Sequence, residues 1–186
     1  MPDRPADVQT AYALEAVFDE AVFILGPILV TVLATAVHPV AGIAVAIVAC
    51  VGGTLAFNNS FASMADWLFS GKLIQFPDLK LAYSEGQIGW IPYALERADT
   101  VWEHHDSWMH TKERIPEPPS TYYWGRIFGC FTADHHGLAN LDAVGRDNIC
   151  FETDYPHTDT TWPNSKAYVE KLLAGVDDDV AYKVLR

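Results

Sequence analysis

From Ala21 to Phe57 the chain carries no Asp, Glu, Lys or Arg. No other feature narrows the possible folds as far, because so long an uncharged run has to be enclosed on all sides. His38-Pro39 splits it into two apolar stretches of about one bilayer span each, near the ~17-residue lower limit for a transmembrane helix. Gly52 and Gly53 mark its other break point. The expectation is an N-terminal apolar α-helical hairpin over residues 1–53, with the membrane as partner of residues 21–57. The competing reading is a helix pair buried in a large soluble core. A signal peptide does not fit: Arg4 is the only basic residue ahead of the run, acidic residues follow it, and the run is too long. With so few basic flanks, membrane orientation is only weakly set.

Near Thr54 the character changes. Charges return, and apolar runs of strand length alternate with helical patterns. The length of 186 residues suits one ordinary domain, or a small domain with an appendage. The net charge of -12 argues against nucleic acid, which a polyanion repels, and disfavours an anionic membrane surface as electrostatic partner. Cys50, Cys130 and Cys150 are widely spaced in apolar runs with no CxxC pair, so they read as reduced core thiols of a reducing compartment.

Three strand-then-helix units follow one another. Phe61–Phe69 is a short helix expected to be capped by Ser60 and stopped by Gly71. Leu79–Ser84 reads as a strand, and Ile91–His105 as a helix with Pro92 in its first turn and Leu95, Ala98, Val101 and Trp102 on its buried face. His110–Ser120, with Pro116, Pro118 and Pro119, reads as an extended loop. Arg126–Phe131 is the second strand, and Leu138, Leu141 and Val144 mark a helix ending at Gly145. Ile149–Phe151 is the third strand. Ser165 is expected to cap the next helix, and a last one starts near Asp177. Units in this order imply parallel strands. Three are too few to close a barrel of eight.

The segment NICFETDYPHTDTTWP, Asn148 to Pro163, concentrates the chemistry. An apolar run stops abruptly at Glu152, Thr153 and Asp154, with His157 and Asp159 following. A buried strand whose C-terminal end opens into an active site has this form. Asp154 is thereby placed where a metal or substrate can meet it; the alternative is a turn whose Asp caps a backbone N–H.

DWLFSGKLIQFPDLKLAYSEGQIGWIPYALERAD, RIFGCFTADHHGL and NICFETDYPHTDTTWP, taken in that order, resemble the amidohydrolase superfamily, nearest the branch containing aminocarboxymuconate-semialdehyde decarboxylase and related metal-dependent hydrolases. The resemblance runs from about Thr54 to Arg186. It implies that residues 54–186 are the C-terminal part of a (β/α)8 TIM barrel, with the three strands matching its sixth, seventh and eighth. It further implies a divalent metal, usually zinc, and a small-molecule substrate. Asp154 then matches the aspartate that touches the metal and serves as general base or proton shuttle. Such a residue is needed because a metal acidifies water but something must still take the proton.

Glu85 stands where many relatives carry a histidine; it is a candidate for binding substrate or helping to hold a metal, or else a carboxylate at a helix N-terminus. His157 is a candidate for binding substrate or orienting a carboxylate, or else a solvent-facing loop residue. His135 and His136 are weaker candidates for loop contacts. His104, His105 and His110 read as solvated, and Trp90 and Trp162 as packing residues near the mouth. The family's His-x-His motif on the first strand and its histidine on the fifth have no counterpart: residues 1–53 contain only His38. A metal held by one firm ligand binds weakly.

AYALEAVFDEAVFILGPILVTVLATAVHP resembles an internal span of bacterial major facilitator transporters, carried by Glu15, Asp19, Glu20 and Gly26-Pro27. Two spans cannot form the two-bundle pathway that alternating access requires. The sequence therefore leaves three functions open. They are a metal-dependent hydrolase or decarboxylase, a membrane-anchored non-catalytic remnant, and a transporter fragment. The first places a cytoplasmic catalytic part behind an N-terminal membrane attachment. An incomplete barrel also exposes a strand edge around Leu79–Ser84, for which a second copy or another partner is the expected cover.

Overall fold

The computed structural model describes residues 25–157 and 160–186. Glu15, Asp19 and Glu20, on which the transporter resemblance partly rests, and Asp159 of the acidic motif lie outside the described residues. The chain divides into two compact units, with the boundary between Leu55 and Ala56.

In the first unit, helix α1 (Leu25–Val37) is followed by α2 (Pro39–Thr54). The last five residues of α1 widen into π geometry, and the His38 N–H closes that turn on the Leu33 carbonyl at 3.0 Å. His38 is extended, and its Nδ1 accepts the Val40 N–H at 3.2 Å. Pro39 then occupies the first helical position, where its missing N–H costs nothing. Gly42 is the one buried residue of α2. A Cβ there would lie 2.6 Å from the Ala34 Cβ and 2.9 Å from the Val30 carbonyl, so glycine is what lets the two helices approach.

The second unit is α/β. Helices α3 (Phe57–Phe69) and α4 (Lys72–Gln75) lead to strand β1 (Leu81–Tyr83). Then come α5 (Ile91–Met109), α6 (Thr111–Arg114), a 3-10 turn (Pro119–Tyr122) and β2 (Ile127–Phe131). Helices α7 (His135–Ala139) and α8 (Leu141–Val144) precede β3 (Ile149–Phe151), and α9 (Ser165–Leu172) and α10 (Asp178–Val184) close the chain. The strands form one parallel sheet in the order β1-β2-β3, with Tyr83 beside Gly129 and Cys130 beside Cys150.

β2 shows why the pattern folds this way. Ile127, Gly129 and Phe131 are buried and alternate with half-buried Phe128 and Cys130, the two-residue period of a strand. A Cβ on Gly129 would meet Ile88 and Ile91 side-chain carbons at 2.7 and 2.9 Å, so glycine lets the start of α5 press onto the sheet. Buried Asn148 ties β2 to the loop before it, donating to the carbonyls of Tyr123 (3.2 Å) and Ile127 (2.8 Å). The Tyr123 hydroxyl in turn donates to the Val144 carbonyl at 2.8 Å.

Several expectations are corrected. Ser60 caps nothing: α3 begins three residues earlier, entered from helical Ala56 (φ -57, ψ -36), so the extended geometry that a capping residue needs is absent. Asn164, not Ser165, precedes α9, and the Ser165 hydroxyl accepts from Thr161 at 2.9 Å instead. The Pro-rich loop is partly ordered into α6 and the 3-10 turn. Asp106 accepts the Lys112 N–H (2.9 Å), a bond that holds its carboxyl below the usual range, and Asp99 takes both the Ser120 N–H and hydroxyl. The helix expected over 138–145 is two helices broken at Asn140. The first strand is shorter than Leu79–Ser84.

Candidate active site at the strand ends

Because the strands are parallel, their C-terminal ends share one rim. Chain leaves the sheet there at Ser84-Glu85 after β1, Thr132 after β2 and Glu152 after β3. Backbone strain gathers at this rim. Among the described residues only four other than glycine have positive φ, and three of them are here: Glu85 (55°), Gln87 (57°) and Asp154 (55°). Left-handed backbone costs an L-residue ~1–2 kcal/mol, and such residues persist where surrounding structure holds them.

What holds them is visible. The Glu152 carboxylate accepts the Ser84 hydroxyl at 3.0 Å and the Glu85 N–H at 2.5 Å, reaching past β2 to bind the end of β1 to the end of β3. The Glu152 N–H is itself fixed on the Phe131 carbonyl of β2 at 3.0 Å. After Asp154, the His157 N–H closes a turn on the Asp154 carbonyl (2.9 Å), and Thr160 and Thr161 both return to the Thr153 carbonyl (2.6 and 3.0 Å). The loop between β1 and α5 is clamped by Asp134, whose carboxylate accepts three N–H groups: Ile88 (2.8 Å), Gly89 (2.6 Å) and Gly137 (2.7 Å).

This scaffold brings Glu85, Asp154 and His157 together. One ligand atom from each lies within 4.8 Å of the others. His157 Nδ1 is 2.6 Å from Asp154 Oδ1 and 3.5 Å from Glu85 Oε1. The Asp154 side chain is only 6% exposed, against 58% for Glu85 and 37% for His157. A sheltered carboxylate therefore sits at the base of the cluster, beneath an imidazole and an accessible second carboxylate. The donor set fits a divalent cation: two carboxylates balance its charge, and oxygen and imidazole donors suit zinc, manganese or iron. A cation bound there would take up the same His157 Nδ1 and Asp154 Oδ1 that now lie 2.6 Å from each other.

In the sequence Glu152 is one acidic residue of a strand end; in the structure it is the brace of the rim. Asp134 has a signal in the sequence: an Asp three residues before Gly137 at the start of α7 marks a helix cap. Nothing in the sequence pointed to Gln87. Its Nε2 lies 3.4 Å from the Thr132 hydroxyl, while its buried Oε1 has no partner among the described residues.

The other candidates lie apart from the cluster. His135 and His136 are exposed on α7. His104 and His110 are exposed beside Glu103 and Glu113, and His105 packs on the Trp108 ring. Trp90 packs against Phe57 and Phe61 and donates to the Gly86 carbonyl at 2.6 Å. Trp162 stays exposed, 5.3 Å from the Tyr155 ring. A cleft of about 390 Å³ between α7–α8 and Gly175–Asp177 is chemically quiet: its Arg146 is committed to Asp142 and Asp177, at 2.7 Å each.

Comparison with known proteins gives one family. The model of the amidohydrolase family, described as Amidohydrolase, matches residues 3–186. The match thus begins well before Thr54, where the sequence resemblance was expected to start. No curated protein matches the chain.

Proposed function

The chain belongs to the amidohydrolase family, and from that membership we propose that the rim cluster of Glu85, Asp154 and His157 is a metal-dependent hydrolytic or decarboxylating site for a small molecule. The carrying observation is convergence. Two strand ends on either side of β2, each with a residue in left-handed backbone, deliver three metal-capable side chains within 4.8 Å.

Each residue has a distinct part. Asp154, sheltered and fixed by its turn, takes the proton from the attacking water or the substrate. His157, hydrogen-bonded to Asp154 at 2.6 Å, sets the direction of that carboxylate. Glu85, the most exposed of the three, meets the substrate or completes the ligand set. Zinc is the first choice by family, and when bound there a divalent ion supplies Lewis acidity.

The aminocarboxymuconate-semialdehyde decarboxylase-like branch is the nearest reading of the strand-end motifs. On it, β1, β2 and β3 are three βα units of a larger parallel barrel. Each outer strand has one partner among the described residues, which supports this reading. A second copy of the chain, or another partner, then covers the open edges.

The test is equilibrium dialysis of the full chain against zinc and manganese, with metal content measured. Metal-supplemented turnover is then followed on amide, lactone and aryl carboxylate substrates, with carbon dioxide release separating decarboxylation from hydrolysis. Asp154→Asn should lower retained metal at least tenfold and abolish turnover. Equal metal content in parent and variant would refute the assignment.

A further inference from the structure

We propose that Leu25–Leu55 is a lipid-inserted helix pair that anchors this chain in a bilayer. Helix α2 is built inside out for a water-soluble protein. In a soluble helix pair the large aliphatic side chains turn toward the neighbouring helix and the small or polar ones face outward. Here the residue pressed against α1 is Gly42, while Val40, Ile43, Ile47, Val48 and Val51 are all more than half exposed. Half-buried Ala46 follows Gly42 one turn later on the same side. Small residues at the seam and bulky aliphatics outside are how helices pair where the solvent is itself apolar.

Polar satisfaction agrees with that placement. The hydroxyls of Thr31, Thr35 and Thr54 each donate to the carbonyl four residues back, at 2.8, 2.7 and 2.8 Å. Their donors are therefore satisfied without water, as a hydrocarbon surrounding demands. His38, the polar exception, sits at the turn between the helices. The apolar run that α2 begins holds an 18-residue window apolar enough to cross a membrane, and only 6% of that window is buried. At 1.5 Å per residue such a window is roughly 27 Å long, close to the ~30 Å hydrocarbon core.

A bilayer is preferred over a protein groove because the segment has no charge to set register or to rim an interface. The net charge of -12 also decides the choice of probe. Neutral phosphatidylcholine vesicles remove electrostatic attraction, so retention there reports apolar insertion.

The full chain is reconstituted into such vesicles and floated on a density gradient, then washed with 1 M salt and alkaline carbonate. A membrane-impermeant maleimide is added to intact vesicles and, separately, after solubilisation in a denaturing detergent. Mass spectrometry then reads the labelling of Cys50, which lies exposed in α2. The chain should float through both washes, and Cys50 should label at least tenfold less in intact vesicles. Ile47→Lys with Val48→Lys should release most of the chain at the carbonate wash. Recovery as a soluble monomer would overturn the proposal. So would a lipid-free soluble oligomer, in which a second copy covers the face, or full-rate labelling of Cys50 in intact vesicles.

Discussion

Glu152→Ala removes a side chain that makes no contact with the proposed chemistry yet fixes the backbone beneath it. Two bonds to a carboxylate are lost, from the Ser84 hydroxyl (3.0 Å) and the Glu85 N–H (2.5 Å). Hydrogen bonds to a charged acceptor contribute ~1.5–3 kcal/mol each. Ser84 and Glu85 are exposed, so water replaces part of the loss. The net loss therefore falls below that range, and we take ~1 kcal/mol per bond, or ~2 kcal/mol together. With nothing holding Glu85 in its left-handed conformation, that energy returns as a lower population of the arrangement that brings Glu85 to Asp154 and His157. At ~1.4 kcal/mol per factor of ten, metal affinity should fall ~10–30-fold, within the range seen when an outer-shell partner is removed. Glu152→Gln keeps an acceptor for the Glu85 N–H and should lose less, and Ser84→Ala should lose least. Isothermal titration with zinc on the full chain measures all three. Equal affinity for parent and Glu152→Ala, within twofold, would refute the bracing role.

Three further outcomes are expected. Asn148→Ala, which strips the Tyr123 and Ile127 carbonyls of a buried donor, should cost ~2–4 kcal/mol in urea denaturation, from two lost bonds and two dry acceptors. Gly137→Ala places a Cβ 2.3 Å from Ile88 Cγ1, so a loss of ~1–3 kcal/mol from overpacking is expected, together with loosening of the loop that Asp134 clamps. Burial, with Glu152 and Cys150 nearby, pushes the Cys130 thiol up to about 12. In the unfolded chain this thiol ionises first, so the folded state keeps a proton that the unfolded state has lost. Stability should therefore be full below the ordinary thiol range and fall as pH rises from there toward 12. Cys130→Ser should flatten that alkaline decline in a pH series of thermal melts.

Strand periodicity made much of the second unit legible. Ile149–Phe151 and the buried half of β2 stand where alternation and abrupt polar ends put them, because one face of the sheet must be dry. Helix starts were less legible. Ser60 and Ser165 are the right residue types for caps, but capping depends on the backbone of the preceding residue, and Ala56 and Asn164 set that instead. Asp154, Glu85 and His157 were readable as candidates because they interrupt apolar runs. Their convergence was not readable, since it arises from positive φ at Glu85 and Asp154, which no composition rule assigns to acidic residues. Glu152 escaped notice for a related reason: its partners are 67 and 68 residues away in the chain.

The Glu152 strut has a mechanical consequence. β1 and β3 share no ladder bonds, since β2 lies between them, yet the Glu152 carboxylate joins their tips. Load applied at either tip is thus passed to the other without traversing the central strand. Anything that grips Glu85 and Asp154 together would work as a second rivet beside the first. Amide exchange at the ends of both outer strands should then slow in concert, leaving the middle strand's own exchange unchanged.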